Sequence, residues 1–186
     1  MTRIRQDAAI PCAPISPNSQ MKGLGKTPSH YNVKREVVGI AKWTEKVVTE
    51  ANVAAWRNEP DFGICVRTGG GLYGIDIDIE DPDAALSYAS QLVDRLGLDH
   101  FVYRCRPNSG RLLLPIWYMG HEKGNDPKFC SMVSPDGAVD LLGEGKQFVA
   151  FGTHPSGVRY EWRSKLLRRS ERYVRIQHYY DASDLV

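Results

Sequence analysis

The run Leu72-Tyr-Gly-Ile-Asp-Ile-Asp-Ile79 constrains this chain more than any other. Apolar and acidic side chains alternate along it, and successive side chains of a strand point to opposite faces. Ile75, Ile77 and Ile79 therefore share one face, and Asp76 and Asp78 share the other. Two same-face carboxylates at a strand end are a common way to hold divalent cations. Thr68-Gly-Gly-Gly71 before the strand reads as a turn. Asp81-Pro82 after it supplies an N-cap and a first helical position. The helix so opened runs to about Leu96, with Gly97 at its end. Its apolar residues Ala85, Leu86, Ala89, Leu92, Val93 and Leu96 follow helical spacing.

Further strands are predicted over 63–67, 101–105, 111–118, 138–142 and 147–152, with a short extended piece at 160–163. Pro115 marks an edge strand or a bulge. The strands at 138–142 and 147–152 flank Gly143-Glu-Gly145 and are expected to form a hairpin. Residues 35–58 read as helical in pieces, with Thr44 capping a helix that runs to about Arg57. Residues 119–137 read as a loop with one helical turn. Pro11, Pro14, Pro17 and Pro28 make the N-terminal stretch an irregular arm. The pattern predicts an α+β fold (α/β, two-lobed) with a mixed or mainly antiparallel sheet, not a doubly wound parallel one. The expected divisions are an arm over 1–34, a catalytic domain over 35–163, and a basic, aromatic tail over 164–186.

With 186 residues, 42% of them hydrophobic, the chain can build a real core as one domain or one domain with two lobes. The formal charge of +2 names no partner, but its distribution is uneven. Acids crowd the centre, from Asp76 to Asp99. Basic residues crowd the flanks, including Arg159, Arg163, Lys165, Arg168, Arg169, Arg172 and Arg175 near the C-terminus. Basic flanks around an acidic centre suit a metal site that handles a polyanion. Cys12, Cys65, Cys105 and Cys130 include no C-x-x-C pair, which argues against a zinc ribbon. Cys65 and Cys105 sit in apolar runs as reduced core residues, and a cytoplasmic, reducing compartment is expected. No apolar stretch approaches membrane-spanning length.

Asp140 is the third candidate ligand, an isolated carboxylate in Ala-Val-Asp-Leu-Leu. A charge there is expensive to bury unless it is paired or metal-bound. Asp76, Asp78 and Asp140 on adjacent strands can hold two Mg²⁺ or Mn²⁺ ions, which activate an attacking 3′-oxygen and stabilise the leaving phosphate. The turn Arg106-Pro-Asn-Ser109-Gly110-Arg111 offers backbone N–H groups and a guanidinium to phosphate oxygens. Lys146 can face the same phosphates, and His154, in the loop Thr-His-Pro-Ser-Gly, can bond a phosphate or a sugar hydroxyl. His30, His100, His121 and His178 show no ligand spacing. G-x-x-x-x-G-K-[ST] is absent, and the G-x-G-x-x-G match at Gly69 to Gly74 leads into a strand instead of opening a helix, which argues against the commonest nucleotide loops.

In this order the motifs resemble the prim-pol catalytic domain of the archaeo-eukaryotic primase superfamily, in particular the N-terminal domain of bifunctional DNA primase/polymerases of phages and plasmids. The resemblance spans roughly residues 63–162. The family's Asp-x-Asp strand matches Asp76 and Asp78, its Ser-x-His falls at Ser109-Gly110-Arg111, and its apolar-Asp matches Val139-Asp140. Its following loop matches His154 to Gly157, and its aromatic strand matches Tyr160 to Trp162. Arg111 stands where many relatives carry His, and Arg can supply the same charge to the phosphates of an incoming nucleotide.

The resemblance implies a degenerate RRM-like sheet packed with an N-terminal α/β unit, with the active cleft between them. It implies template-directed nucleotidyl transfer from dNTPs or NTPs. Asp76, Asp78 and Asp140 would hold two Mg²⁺ or Mn²⁺ ions, and Ser109, Gly110, Arg111, Lys146 and His154 would grip the triphosphate. Single-stranded template and primer would run along Arg163, Lys165, Arg168, Arg169 and Arg172, with Tyr160, Trp162 and Tyr173 as base-stacking groups. A replicative helicase, fused or separate, is an implied partner. Two other readings compete. Asp140…Glu144-Gly-Lys146 approximates the D-x₃-E-x-K of a metal-dependent nuclease, and a non-catalytic replication-initiation module would bind DNA without needing the aspartates.

Overall fold

The computed structural model describes residues 8–12, 23–118 and 126–167. The chain divides into two compact units. One comprises Met1–Arg67 with Gly145–Tyr160, the other Thr68–Glu144 with Glu161–Val186.

In the first unit, β1 (Ala9–Cys12), β4 (Gly63–Arg67) and β10 (Gln147–Phe151) form an antiparallel sheet in the order β1-β4-β10. Cys12, Cys65 and Val149 bury their side chains together, with Tyr160 packed against them. β2 (Ser29–Tyr31) pairs with β3 (Val37–Gly39). Ala9–Cys12 and Ser29–Tyr31 are thus strands within the stretch expected to be irregular. Pro11 sits in β1, which occupies one end of the sheet order, where a missing N–H is tolerated.

The helix of this unit, α1 (Glu50–Arg57), starts later than the sequence suggests. Thr49, not Thr44, caps it. Its Oγ1 accepts from Asn52 N–H at 3.2 Å, and Asn52 Oδ1 accepts from Thr49 N–H at 3.3 Å. The preceding residues are held in turns instead. Lys42 has a positive φ of 48°, and Arg67 Nη1 donates to the carbonyls of Trp43, Thr44 and Lys46. Trp43 O also accepts from Lys46 N–H at 3.4 Å and Lys42 O from Glu45 N–H at 2.9 Å, so these residues close three-residue turns pinned by the guanidinium instead of a helical ladder.

The second unit is one six-stranded sheet with a helix on one face. Its strands are β5 (Leu72–Ile79), β6 (His100–Arg106), β7 (Ser109–Trp117), β8 (Cys130–Ser134), β9 (Gly137–Leu142) and β11 (Glu161–Leu166), in the order β11-β6-β7-β5-β9-β8. Every pairing is antiparallel. The helix α2 (Pro82–Arg95) begins as expected, with Asp81 Oδ1 accepting from Ala84 N–H at 2.7 Å. It ends in a Schellman motif. Gly97 takes φ 73°, its N–H reaches Asp94 O, and Leu98 N–H reaches Val93 O. Ala85, Ala89 and Val93 pack on Ile77, Ile79, Phe101, Cys105, Leu112 and Leu114. The apolar face of β5 is thereby covered.

Three further expectations differ. The segment Cys130–Ser134 is a strand, not loop. All five of its residues are exposed and carry no alternation for a sequence reading to detect. The hairpin between β9 and β10 does not form. β9 pairs with β5 and β8, with Val139 packed on the α2-side core, whereas β10 pairs with β4 and buries Phe148, Val149 and Ala150. Two strands that serve different cores cannot share one ladder. Pro115 lies in a central strand opposite Gly74. It falls past the Arg104–Leu113 pair, so the β6–β7 ladder does not need its N–H. All four cysteines are free, and only Cys130 is exposed. No helix of the described residues is long and apolar enough to cross a membrane.

The glycine turn before β5 is locked by Asp126. Its Oδ1 accepts from Gly70 N–H at 2.8 Å and from the hydroxyl of Tyr73, which is 3% exposed. Burial, reinforced by that bond, pushes the Tyr73 hydroxyl from an ordinary 10.0 up to about 12. A folded pKa raised above the unfolded one gives stability that is complete below pH 10 and is lost as pH rises through 12. Tyr73→Phe is expected to cost about 1–2 kcal/mol at pH 7. Between pH 10 and 12 the gap between variant and wild type should narrow in denaturant melts. A gap that stays constant across that window would contradict the assignment.

Candidate active site

The site is built by register. Asp76 of β5 lies directly opposite Asp140 of β9, and Asp78 lies opposite Ala138. Ile77 between them faces the α2-side core, so alternation sends all three carboxylates to the other face. The same row continues across the whole sheet. Leu113 is opposite Asp76, Arg104 opposite Leu113, and Trp162 opposite Arg104. On the far side Ser131 is opposite Asp140. One row therefore reads Trp162, Arg104, Leu113, Asp76, Asp140, Ser131.

The charges in this face are partly compensated by arginines. Arg104 has a side chain only 12% exposed, and its Nη2 lies 3.9 Å from Asp76 Oδ1. Arg111 Nη1 lies 3.6 Å from Asp78 Oδ1, while its Nε donates to Glu80 Oε1 at 2.7 Å. The side chains of Asp78 and Arg111 are 40% and 42% exposed, so this pair is worth no more than about 1 kcal/mol and a charged ligand can exchange with it. Ser109 Oγ accepts from Arg106 Nη2 at 3.1 Å and from Arg111 N–H at 3.3 Å, and donates to Glu80 Oε2 at 3.4 Å. Gly110 makes this network possible. A Cβ there would overlap the backbone of Glu80 and Asp81, so only glycine lets the start of β7 lie against the β5–α2 junction.

Asp140 is compensated least. Its Oδ1 is buried and has no hydrogen-bond partner among the described residues. Like charges directly opposite on neighbouring strands repel, and a buried unpaired carboxylate oxygen is costly. A hard divalent cation relieves both, and an all-carboxylate donor set suits Mg²⁺ or Mn²⁺. Among the described residues no three His, Cys, Asp or Glu side chains are gathered into a ready-made metal cluster. The carboxylates share a face and a row, with Asp76 and Asp78 leaning on arginines.

Ser109, Gly110 and Arg111 belong with the aspartates in the second unit; Lys146 and His154 belong to the first. His154 Nδ1 accepts from Ser156 N–H at 3.1 Å, so the ring proton sits on Nε2, and the ring meets Tyr160 edge-on at 5.9 Å. Tyr160 itself packs on the core of that unit. Within β11, Arg163 and Lys165 are opposite Tyr103 and Phe101, residues of the α2-side core. They therefore alternate away from the carboxylates, while Trp162 alternates toward them. Arg168, Arg169, Arg172 and Tyr173 lie outside the described residues.

Two site residues were not singled out from sequence. Glu80 continues the even-numbered acidic series 76, 78, 80, a signal of period two that was available. Arg104 sits between Tyr103 and Cys105, and the same alternation turns it away from the core; what it lies against depends on strand pairing.

A family model described as the N-terminal domain of bifunctional DNA primase/polymerases matches residues 9–172. No curated protein and no solved structure matches the chain.

The Asp76–Asp140 opposition has a consequence for stability. With divalent ions removed by chelator, Asp140→Asn should be more stable than wild type by about 0.5–1 kcal/mol in denaturant melts, because a like-charge pair is relieved. Equal or lower stability would show that the two carboxylates do not repel in the free protein.

Proposed function

The chain belongs to the bifunctional DNA primase/polymerase N-terminal family, and on that premise we propose that its second unit catalyses template-directed transfer of nucleotides from dNTPs or NTPs to a growing DNA strand. The observation that carries this reading is the opposition of Asp76 and Asp140, with Asp78 beside them and arginines on one flank. Such a face attracts cations at its centre and phosphates at its edge.

Asp76, Asp78 and Asp140 would hold the divalent ions. When bound, these ions neutralise the approaching triphosphate and favour ionisation of the 3′-hydroxyl. The protein's own groups do the rest. Arg111 exchanges its exposed contact with Glu80 for oxygens of the β- and γ-phosphates, a geometry that a planar guanidinium serves well. Ser109 holds the backbone N–H of Arg111 and so fixes where β7 begins. Arg104, largely buried beside Asp76, keeps that carboxylate oriented and adds positive potential on the phosphate side. Trp162, in the same row, offers a ring to a base.

The nuclease reading draws less support. Asp140 lies within β9, Glu144 lies beyond the end of that strand, and Lys146 belongs to the other unit. The motif's residues are not aligned along one strand.

A labelled primer–template incubated with dNTPs and Mg²⁺ or Mn²⁺ tests the proposal. Wild type should lengthen the label. Asp78→Ala and Asp140→Ala should each reduce extension by about a hundredfold or more, while DNA affinity stays within about twofold because phosphate contacts elsewhere dominate it. Extension retained in either variant would refute the site. Shortening of the label without dNTPs would replace the polymerase with a nuclease.

A further inference from the structure

We propose that the uncharged flank of the carboxylate face, formed by Ala138 of β9 with Ser131 and Val133 of β8, seats the 3′-terminal nucleotide of the primer strand. The inference rests on the reading of Arg111 as a triphosphate ligand and goes beyond it by orienting both substrates on the sheet.

Charge is unevenly spread across the sheet. Arg104, Arg106 and Arg111 all lie on β6 and β7, on one side of β5. On the other side, β8 reads Cys-Ser-Met-Val-Ser with no charge, and Asp140 is the one charged residue of β9. A triphosphate is drawn to the arginine flank, whereas the sugar and base of a primer terminus do not need a cation.

Displacement at phosphorus is directional. The primer 3′-oxygen forms its bond to the α-phosphorus as the bond from that phosphorus to the bridging oxygen of the β-phosphate breaks. Pyrophosphate leaves, and the 3′-hydroxyl proton passes to water. Attacking and leaving oxygens stand on opposite sides of the phosphorus, roughly in line. With pyrophosphate held over β7 by Arg111 and the α-phosphate over the carboxylates, an in-line attack brings the sugar from the side of β9 and β8.

Register sets the span between the two flanks. Arg111 contacts Asp78, Asp78 is opposite Ala138, and Ala138 is opposite Val133. That path crosses the sheet perpendicular to its strands and spans three strand spacings, about 14 Å. It leaves room for phosphates on one flank and a nucleoside on the other. Small Ala138 keeps the path low, and Val133, 82% exposed, presents an apolar surface to a sugar or base.

Val133 is open to solvent, so its substitution leaves the core intact. In the full chain, Val133→Glu is expected to raise the KM for primer–template about tenfold through repulsion of the primer phosphates. The Kd for dNTP, measured without DNA, should be unchanged. A second test uses a primer whose 3′-terminal nucleotide carries a disulfide tether, in a Cys130→Ser background where the remaining cysteines are buried. Val133→Cys should capture this primer, and Ser87→Cys on α2 should not. An unchanged primer KM in Val133→Glu, or equal capture at both positions, would overturn the proposal. Arg111→Ala separates the two levels. If it leaves the dNTP Kd unaltered, the underlying nucleotide assignment falls, and this one with it. If it weakens dNTP binding while Val133→Cys captures nothing, only the primer seat is wrong.

Discussion

The period-two alternation of β5 is the constraint on which the rest depends. Ile77 and Ile79 are buried under α2 with Ile75 half-buried beside them, and that burial fixes which way the strand faces. A one-residue slip would bury Asp76 and Asp78 and expose three isoleucines, so register is held by a large free-energy difference. Once β5 is fixed, antiparallel pairing with β9 sets Asp140 opposite Asp76. The hydrophobic effect on one face thereby assembles a charge cluster on the other.

The carboxylate face is electrostatically graded. Arginines occupy β6 and β7, carboxylates occupy β5 and β9, and β8 is neutral. Asp76 and Asp78 lean on guanidiniums, while the buried oxygen of Asp140 has no hydrogen-bond partner among the described residues. A face of this kind is poised rather than satisfied. The contact of Arg111 with Glu80 is exposed enough to be exchanged for a phosphate at little cost. Gly110 lies underneath, where the backbone of Glu80 approaches too closely for any side chain.

What the sequence made legible follows from how local each signal is. The strand Leu72–Ile79 and the helix cap at Asp81-Pro82 are written in consecutive residues, and both stand where expected. Asp140 was legible as a charge inside an apolar strand. Pairing was not legible. Nothing within 138–152 says that β9 and β10 belong to different sheets, because that is decided by distant partners in β5 and β4. β8 was invisible because a fully exposed strand carries no hydrophobic period. Thr44 and Thr49 are equivalent as candidate caps until Arg67 claims the carbonyls of residues 43, 44 and 46. Arg104 and Glu80 gain their meaning only from what lies across the sheet. The facing of Arg163 and Lys165 toward the α2 side likewise follows from a register that composition does not record.

If Asp76, Asp78 and Asp140 act as one cation-binding face, as proposed, bound Mn²⁺ depends on Asp140 as well as on the strand β5. Titration of the protein with Mn²⁺, followed by the loss of the free-ion paramagnetic resonance signal in the presence of dNTP, tests it most directly. Wild type should bind Mn²⁺ saturably, and Asp140→Ala should not. Identical titration curves for the two proteins would contradict it.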